Sequence, residues 1–422
     1  MKRIYFFLYL LLILSFSMQL FADSNLKSSS LQNSTSDKFK ISVLTIGPGE
    51  ALFARFGHIA LIVEDLTSGQ NIVYNFGTFN FTDPKLRIKY ARGFLNYWLS
   101  YTSLDIFLNF YAGENRDVWI QTLNLTPGQA ADIANKLKIN ALPKNRFYAY
   151  RHYIDNCCTR IRDIIDKETD ESITKKFKHQ KVDRDFRYWT NYSLRGIPVV
   201  KWIILYSLGP AIDHRITRWD EEFLPSVLFK DLNEIKLKNN KPLVLNTRQV
   251  LKREGPPIGS SIPSLDLWIL SLLTLFLAAG LLLPSILKNQ TVARRLAGLG
   301  LIIWGLISGL GGLMLILYWT VTTHYDTHYN ENLIVTPVTH LLLLGPGIVL
   351  LIKSKITAKI QKMLIYYLLF ANGLVILDLL LKLGPFIQGN YGTIALALIC
   401  NTLAIFAIKR SNTRKEKNDK LK

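Results

Sequence analysis

Cysteine is scarce in this chain, with three residues in 422. Cys157 and Cys158 are adjacent and Cys400 lies inside an apolar run, so their spacing gives no disulfide framework. Acidic residues are also few. There are 31 Asp and Glu against 51 Lys and Arg, a formal net charge of +20. A surplus of that size would suit nucleic acid. Its distribution excludes that partner, because much of it lies in short loops between apolar runs and in the tail from Lys409 to Lys422. Beyond the leader, long apolar runs are missing from the first half and crowd the second. Lys and Arg are in turn missing from two loops of the second half, 322–336 and 384–390.

What is present divides the chain into a soluble and a membrane part. Residues 1–22 carry Lys2 and Arg3, an apolar core and Leu20-Phe21-Ala22, which reads as a secretory signal cleaved after Ala22, with an uncleaved anchor as the alternative. No cysteine follows, so the chain is not itself marked as a lipoprotein. Residues 23–39, rich in Ser, Asn and Lys, read as a flexible linker. A globular domain is expected over 40–235. Its strands fall at Ile41–Ile46, His58–Glu64, Asn71–Phe76, Asp117–Leu125 and Phe147–Ile154, with a hairpin turn at Asp65–Gln70. Thr126-Pro127-Gly128-Gln129 reads as a capping box opening a helix that runs to about Leu137. Locally paired strands with interspersed helices indicate α+β with an antiparallel sheet. Residues 167–195 are charged and read as peripheral. Ile197–Leu208 is apolar but too short to cross a bilayer; it reads as a core helix or as a segment resting on the membrane surface. Residues 236–264 read as a linker, and 265–408 as an all-α bundle of about five transmembrane helices: 265–287, 296–321, 337–353, 362–383 and 391–408. The basic loops after the first and third spans, with the tail 409–422, fall on one side, which the positive-inside rule makes cytoplasmic. The two loops without Lys or Arg then face outward, as does the soluble domain.

The chemistry gathers around two motifs. Tyr150-Arg151-His152-Tyr153-Ile154-Asp155-Asn156-Cys157-Cys158-Thr159-Arg160 passes from a strand-like run into a helix pattern with Ile161, Ile164 and Ile165 on one face. Asn156 is a good N-cap type, which puts Cys157 in the first turn, where unpaired N–H groups favour a thiolate. Phe56-Gly57-His58 supplies an imidazole at a strand start, and Gly57 permits close backbone approach. A cysteine nucleophile needs such a partner. Histidine on a strand facing cysteine at a helix start is the papain-like arrangement, here permuted, with His before Cys. Asn75 is the first choice for the group that orients the imidazole, Asp155 the second. Arg160, one turn after Cys157, is a candidate for phosphate. His152 is near in sequence, but its direction is not fixed. Adjacent cysteines do not match zinc-ligand spacing, so no metal site is expected. A further polar stretch, His324 to Leu333, lies in an outward loop where two spans surface. Its His324, Asn330 and Asn332 are candidates for contact with lipid head groups. Bland alternatives stand beside each of these: a buried structural cysteine, a structural histidine, turn or cap residues, and an interfacial loop with aromatic anchors.

Phe56-Gly57-His58-Ile59-Ala60-Leu61, Tyr74-Asn75-Phe76-Gly77-Thr78-Phe79 and Asp155-Asn156-Cys157-Cys158-Thr159-Arg160-Ile161-Arg162-Asp163 resemble the motifs of the Bacteroides-type lipoprotein N-acyltransferases, the Lnb family. The likeness continues through Phe223-Leu224-Pro225 and the pattern His324…Asn330-Glu331-Asn332-Leu333 with Pro337. It implies a thiol-protease-like domain in the periplasm, held to the bacterial inner membrane by several spans, with His58 and Cys157 catalytic. Cys158 stands where that family more often has Ser or Thr. The implied reaction moves an acyl chain from a phospholipid to the α-amino group of a diacylated lipoprotein through a cysteine thioester, with no cofactor. Asn156 and Arg160 would then contact substrate. Two other classes remain open at this point: a membrane-anchored thiol peptidase or amidase acting on cell-wall peptide, and a non-catalytic membrane binding protein.

Overall fold

The computed structural model describes residues 38–79, 84–85, 88–89, 92–94, 96–260, 275, 281–282, 286–287, 289–352 and 356–410. The signal segment, most of the linker 23–39, nearly all of the first expected span 265–287 and the tail from 411 lie outside them.

Runs of β-branched and aromatic residues build seven strands. They are β1 (Phe39–Ile46), β2 (His58–Asp65), β3 (Gln70–Thr78), β4 (Asn96–Ser103), β5 (Val118–Leu123), β6 (Phe147–Ala149) and β7 (Val244–Leu251). They form one sheet in the order β6-β4-β3-β2-β1-β5-β7, every pair antiparallel. The β2–β3 hairpin closes where expected, with the Asp65 carboxylate accepting from the N–H groups of Thr67 and Ser68 at 2.9 and 3.2 Å. Around the sheet lie α1 (Leu104–Gly113), α2 (Pro127–Asn140), α3 (Cys157–Glu168), α4 (Ser172–Phe177), α5 (Phe186–Ser193), α6 (Pro198–Ser207) and α7 (Pro225–Glu234). Alternation along β1 and β2 sends Ile41, Val43, Ile59, Leu61 and Val63 to a core shared with Ile133 and Leu137 of α2 and Ile161 and Ile165 of α3. The intervening Leu44, Ile46, Ala60 and Ile62 meet Phe107 and Tyr111 of α1 on the opposite face. Each buried Val, Leu, Ile or Phe among them stabilises the fold by about 1.5–3 kcal/mol. The arrangement is the α+β domain expected, followed by a helical region.

Three expectations are corrected. The stretch 236–264 is not simply a linker, because β7 within it pairs with β5 from Val244 to Leu251 and closes one edge of the sheet. Its polar middle misled, because apolar residues stand only at its ends, Val244-Leu245 and Val250-Leu251, while Asn246 to Gln249 are exposed, as an edge strand permits. Residues 167–195 are not peripheral: α4 buries Ile173 and Phe177, and α5 buries Phe186 and Trp189. The strand expected over Phe147–Ile154 stops at Ala149, since Arg151 and Asp155 exchange backbone hydrogen bonds of 3.0 and 2.9 Å and turn the chain.

The second half forms α8 (Gln290–Val321), α9 (Leu344–Ile352), α10 (Ala358–Leu381) and α11 (Tyr391–Arg410). Among the described residues four helices are long and apolar enough to cross a membrane: Gln290–Val321, Asn332–Ile352, Ala358–Leu381 and Tyr391–Lys409. These match the second to fifth expected spans. Close packing of α8 rests on small residues, Gly298, Gly305, Gly309 and Gly312, whose missing side chains would strike the backbone of 336–350. Inside the bundle Trp304 donates to Asn401 at 2.9 Å, and His340 joins Ser308 to the same Asn401.

The soluble domain sits on the outward ends of these helices. Asn330 donates to the carbonyls of Tyr206 and Ser207, both at 3.0 Å, and Asn332 to that of Tyr206 at 3.1 Å. Tyr206 and Thr336 share a hydroxyl bond of 2.6 Å. Gln388 donates to Leu208, and the Gly389 N–H to Asp213. Helix α6 combines the two readings offered for it: Tyr206 and Ser207 are buried against the bundle, while Val199, Val200 and Ile203 are exposed.

Candidate functional site

The site forms where the start of β2 meets the start of α3. Gly57 holds a positive φ of 82°, and an added Cβ would lie 2.9 Å from the Ile46 carbonyl oxygen and 3.3 Å from Pro225. Only glycine fits there, and its turn delivers His58 as the first residue of β2. The His58 ring lies against Gly77 of β3, where any side chain would collide with it. Its Nε2 is 2.8 Å from Asn75 Oδ1, which also accepts the Gly77 N–H at 2.7 Å. That pins Asn75 and leaves the ring's Nδ1 for the sulfur.

Cys157 opens α3, as its sequence setting predicts. Asn156 caps the helix, with its Oδ1 accepting from the N–H groups of Cys158 at 2.8 Å and Thr159 at 3.0 Å. Thr159 returns the bond to the Asn156 N–H, which completes a capping box. The cap takes two of the orphan donors of the first turn, and the Cys157 N–H has no protein acceptor among the described residues. It is the donor left for an oxyanion.

The two cysteines behave oppositely. Cys157 is pulled well below the ordinary thiol range. The largest cause is a hydrogen bond from Cys158, opposed by burial and followed by the charge and hydrogen bond of His58 and by the Ile59 N–H. Cys158, fully buried, is pushed well above that range by burial and by donating its proton to Cys157. The surroundings thus favour the thiolate at Cys157 and the neutral thiol at Cys158.

Behind Cys158 lies a buried acidic pair that sequence reasoning missed. Asp231 is gripped by Arg218 through contacts of 2.6 to 3.0 Å. Glu222 is fully buried, and its closest cation, Arg162, stands 3.8 Å away. Burial pushes the Glu222 carboxyl up to about 9. With Arg218 on Asp231, Glu222 is the member that keeps its proton. Because its folded pKa is raised, its contribution is intact below the unfolded value of about 4.3. That contribution is then lost as pH rises toward about 9. Glu222→Gln keeps a neutral donor that cannot titrate. Thermal melts of the detergent-solubilised protein should show the wild type losing stability between neutral and alkaline pH and the variant losing less, a gap of roughly 1–3 kcal/mol. Parallel curves would mean that Glu222 ionises freely.

The other expected site residues divide. Asp155 is committed to Arg160, with bonds of 2.6 and 2.9 Å, so it does not orient His58. Arg160 spends those two nitrogens on Asp155 and lies 3.8 Å over the Tyr148 ring. Asn156, expected to touch substrate, is instead a buried cap whose amide donates to the His152 and Phe223 carbonyls. That bond is also why Phe223-Leu224-Pro225 belongs with the other motifs. Asn330 and Asn332 are corrected likewise: both are buried and tie the domain to the bundle. His324 is half-buried beside Tyr318, in the loop after α8. His152 packs edge-on against Phe56 at 4.3 Å, and burial lowers it to about 4, so it stays neutral. Two neighbours carried no sequence signal. Buried Arg116 lies over Tyr111 and donates twice to the Gly47 carbonyl, and the Cys157 charge reaches both side chains.

The loop after α8 reaches the soluble domain. Thr323 donates to the Arg92 carbonyl at 2.9 Å, and Arg151 stands over the Tyr325 ring at 5.6 Å. The imidazole–sulfur pair therefore lies in a domain whose adjoining loops touch the outward ends of the apolar helices. No curated protein and no solved structure matches the chain. Residues 27–192, which contain His58, Asn75 and Cys157, match the family model of the Lnb N-terminal periplasmic domain, so this part of the chain is a periplasmic domain of the Lnb type.

Proposed function

We propose that this protein is a lipoprotein N-acyltransferase of the bacterial inner membrane, with Cys157 as nucleophile and His58 as acid and base. The observation that carries the reading is the Cys157 sulfur, stabilised by Cys158 and His58 in a domain seated on membrane-spanning helices. In the first half-reaction the sulfur attacks the ester carbonyl of a phospholipid. A C–S bond forms, the ester C–O bond breaks, and His58 gives its proton to the leaving alcohol oxygen. The Cys157 N–H faces the charge that develops on the carbonyl oxygen. In the second half the α-amine of a diacylglyceryl-cysteine attacks the thioester. A C–N bond forms, the C–S bond breaks, and His58 takes the amine's proton. Asn75 holds the ring in the orientation both steps need. Arg160, one turn along α3 from Cys157, and His324, in the loop after α8, are the candidates for contact with the head group.

Mass spectrometry of a lipoprotein N-terminus tests this. Cells with the protein should yield the N-acylated form, and cells without it the free amine. An unchanged N-terminus, together with Cys157-dependent cleavage of wall peptide, would replace this reading by the peptidase one.

A further inference from the structure

A line of aromatic rings leads from the surface to the reactive sulfur, and the chemistry above does not use it. Phe53, in the turn after β1, is 62 % exposed. Its ring meets Phe79 edge-on at 6.2 Å, Phe79 meets Tyr97 of β4 at 4.9 Å, and Tyr97 stacks on Tyr150 at 4.3 Å. Tyr97 and Tyr150 pack against the core cluster that contains Cys157. After burial, the Cys157 sulfur is the strongest influence pushing the Tyr150 hydroxyl up. The rings come from four separate segments of the chain, so local sequence spacing does not account for their alignment. Phe79, Tyr97 and Tyr150 are half-buried, which leaves part of each wall open. The chain between Phe79 and Tyr97 also passes the bundle's outward loop, through Arg92 and Thr323.

We propose that Phe53, Phe79, Tyr97 and Tyr150 form the binding wall for the fatty acyl chain that is carried on Cys157. The inference rests on the acyl-transfer reading and deepens it by naming the acyl subsite. Whatever hangs from a carbonyl bonded to that sulfur must lie along the surface leading away from it. A peptide there would need partners for its backbone N–H and C=O groups. The wall offers mainly ring faces, and the Tyr150 hydroxyl is already engaged with His152 Nδ1 at 3.3 Å. An aliphatic chain needs no polar partner and gains from each methylene laid on the rings.

The test is the rate at which Cys157 is acylated by p-nitrophenyl esters, butyrate against dodecanoate, read by intact mass on the full chain in detergent. Burying a methylene completely is worth about fourfold and half-burying it about twofold, so the eight extra methylenes of dodecanoate should favour it by on the order of 100-fold or more in the wild type. Phe53→Ser and Phe79→Ser should compress that ratio severalfold, through a lower dodecanoate rate. Phe53→Leu should keep it. Ile106→Ser, an exposed apolar position on α1, controls for partition into detergent and should also keep it. A ratio that survives Phe53→Ser and Phe79→Ser undiminished overturns the acyl wall while leaving acyl transfer standing. Loss of peptide p-nitroanilide cleavage in those variants, with the ester ratio intact, would assign the wall to a peptide instead. If no ester acylates Cys157 in the wild type, the acyl-transfer reading falls, and the subsite with it.

Discussion

On the proposed function, Cys157→Ala and Cys157→Ser should each remove lipoprotein N-acylation, by on the order of 10⁴-fold or more, and Cys158→Ser should keep most of it. The asymmetry follows from which sulfur carries the charge. Cys157 is the acceptor of three favourable contacts, from Cys158, His58 and the Ile59 N–H, and these outweigh its burial. Cys158 has no exposed surface, and its proton is already directed at Cys157. A serine at 157 keeps the shape, but its hydroxyl does not ionise in this setting, so isosteric replacement does not rescue the nucleophile. A serine at 158 still donates a hydrogen bond. Cys158→Ala removes that donor and should raise the Cys157 pKa while the fold stands. Alkylation by iodoacetamide followed across pH separates the cases. Cys157 should label at lower pH in the wild type and in Cys158→Ser than in Cys158→Ala. Labelling of Cys158 in preference to Cys157, with Cys157→Ala active, would move the nucleophile by one residue.

The parts of this site written in contiguous motifs were legible, and the parts assembled across the fold were not. The Asn156 cap, the helix after it and the His58 strand follow from local rules, because an N-cap and a strand start depend on neighbours in sequence. Asn75 could be placed because a hairpin fixes register, so a residue on β3 has a known distance from β2. Asn330 and Asn332 were misread for a reason that recurs with polar residues. A side-chain amide in a loop looks available for a ligand, and only the fold reveals carbonyls such as that of Tyr206 waiting for it. Strand β7 hid because an edge strand can be polar on both faces. Glu222 gave no signal, since an acidic residue is presumed exposed, and its burial depends on α3 and α7 closing over it.

His58→Ala should lower acyl transfer by roughly 10²- to 10⁴-fold, and the loss should fall on both half-reactions. On the proposed mechanism the first requires a proton for the departing alcohol, the second a base for the incoming amine, and one imidazole serves both. Removing it also removes the charge and hydrogen bond that lower Cys157, though the Cys158 bond remains. The thiolate should therefore become scarcer without vanishing, and the pH at which Cys157 alkylates should move up. His58→Gln fills the space above Gly77 but cannot transfer a proton, so recovery of activity in that variant would reduce His58 to a spacer. Asn75 acts one step further out. Its Oδ1, held by the Gly77 N–H, fixes which ring nitrogen is left for sulfur. Asn75→Ala frees the ring and should cost tens of fold in kcat while the thiol's alkylation profile changes little. Asn75→Asp keeps an acceptor and adds a negative charge beside the ring, which stabilises the imidazolium and should shift the pH–rate profile upward. A profile that stayed in place, with activity unchanged in both Asn75 variants, would leave the imidazole oriented by packing on Gly77 alone.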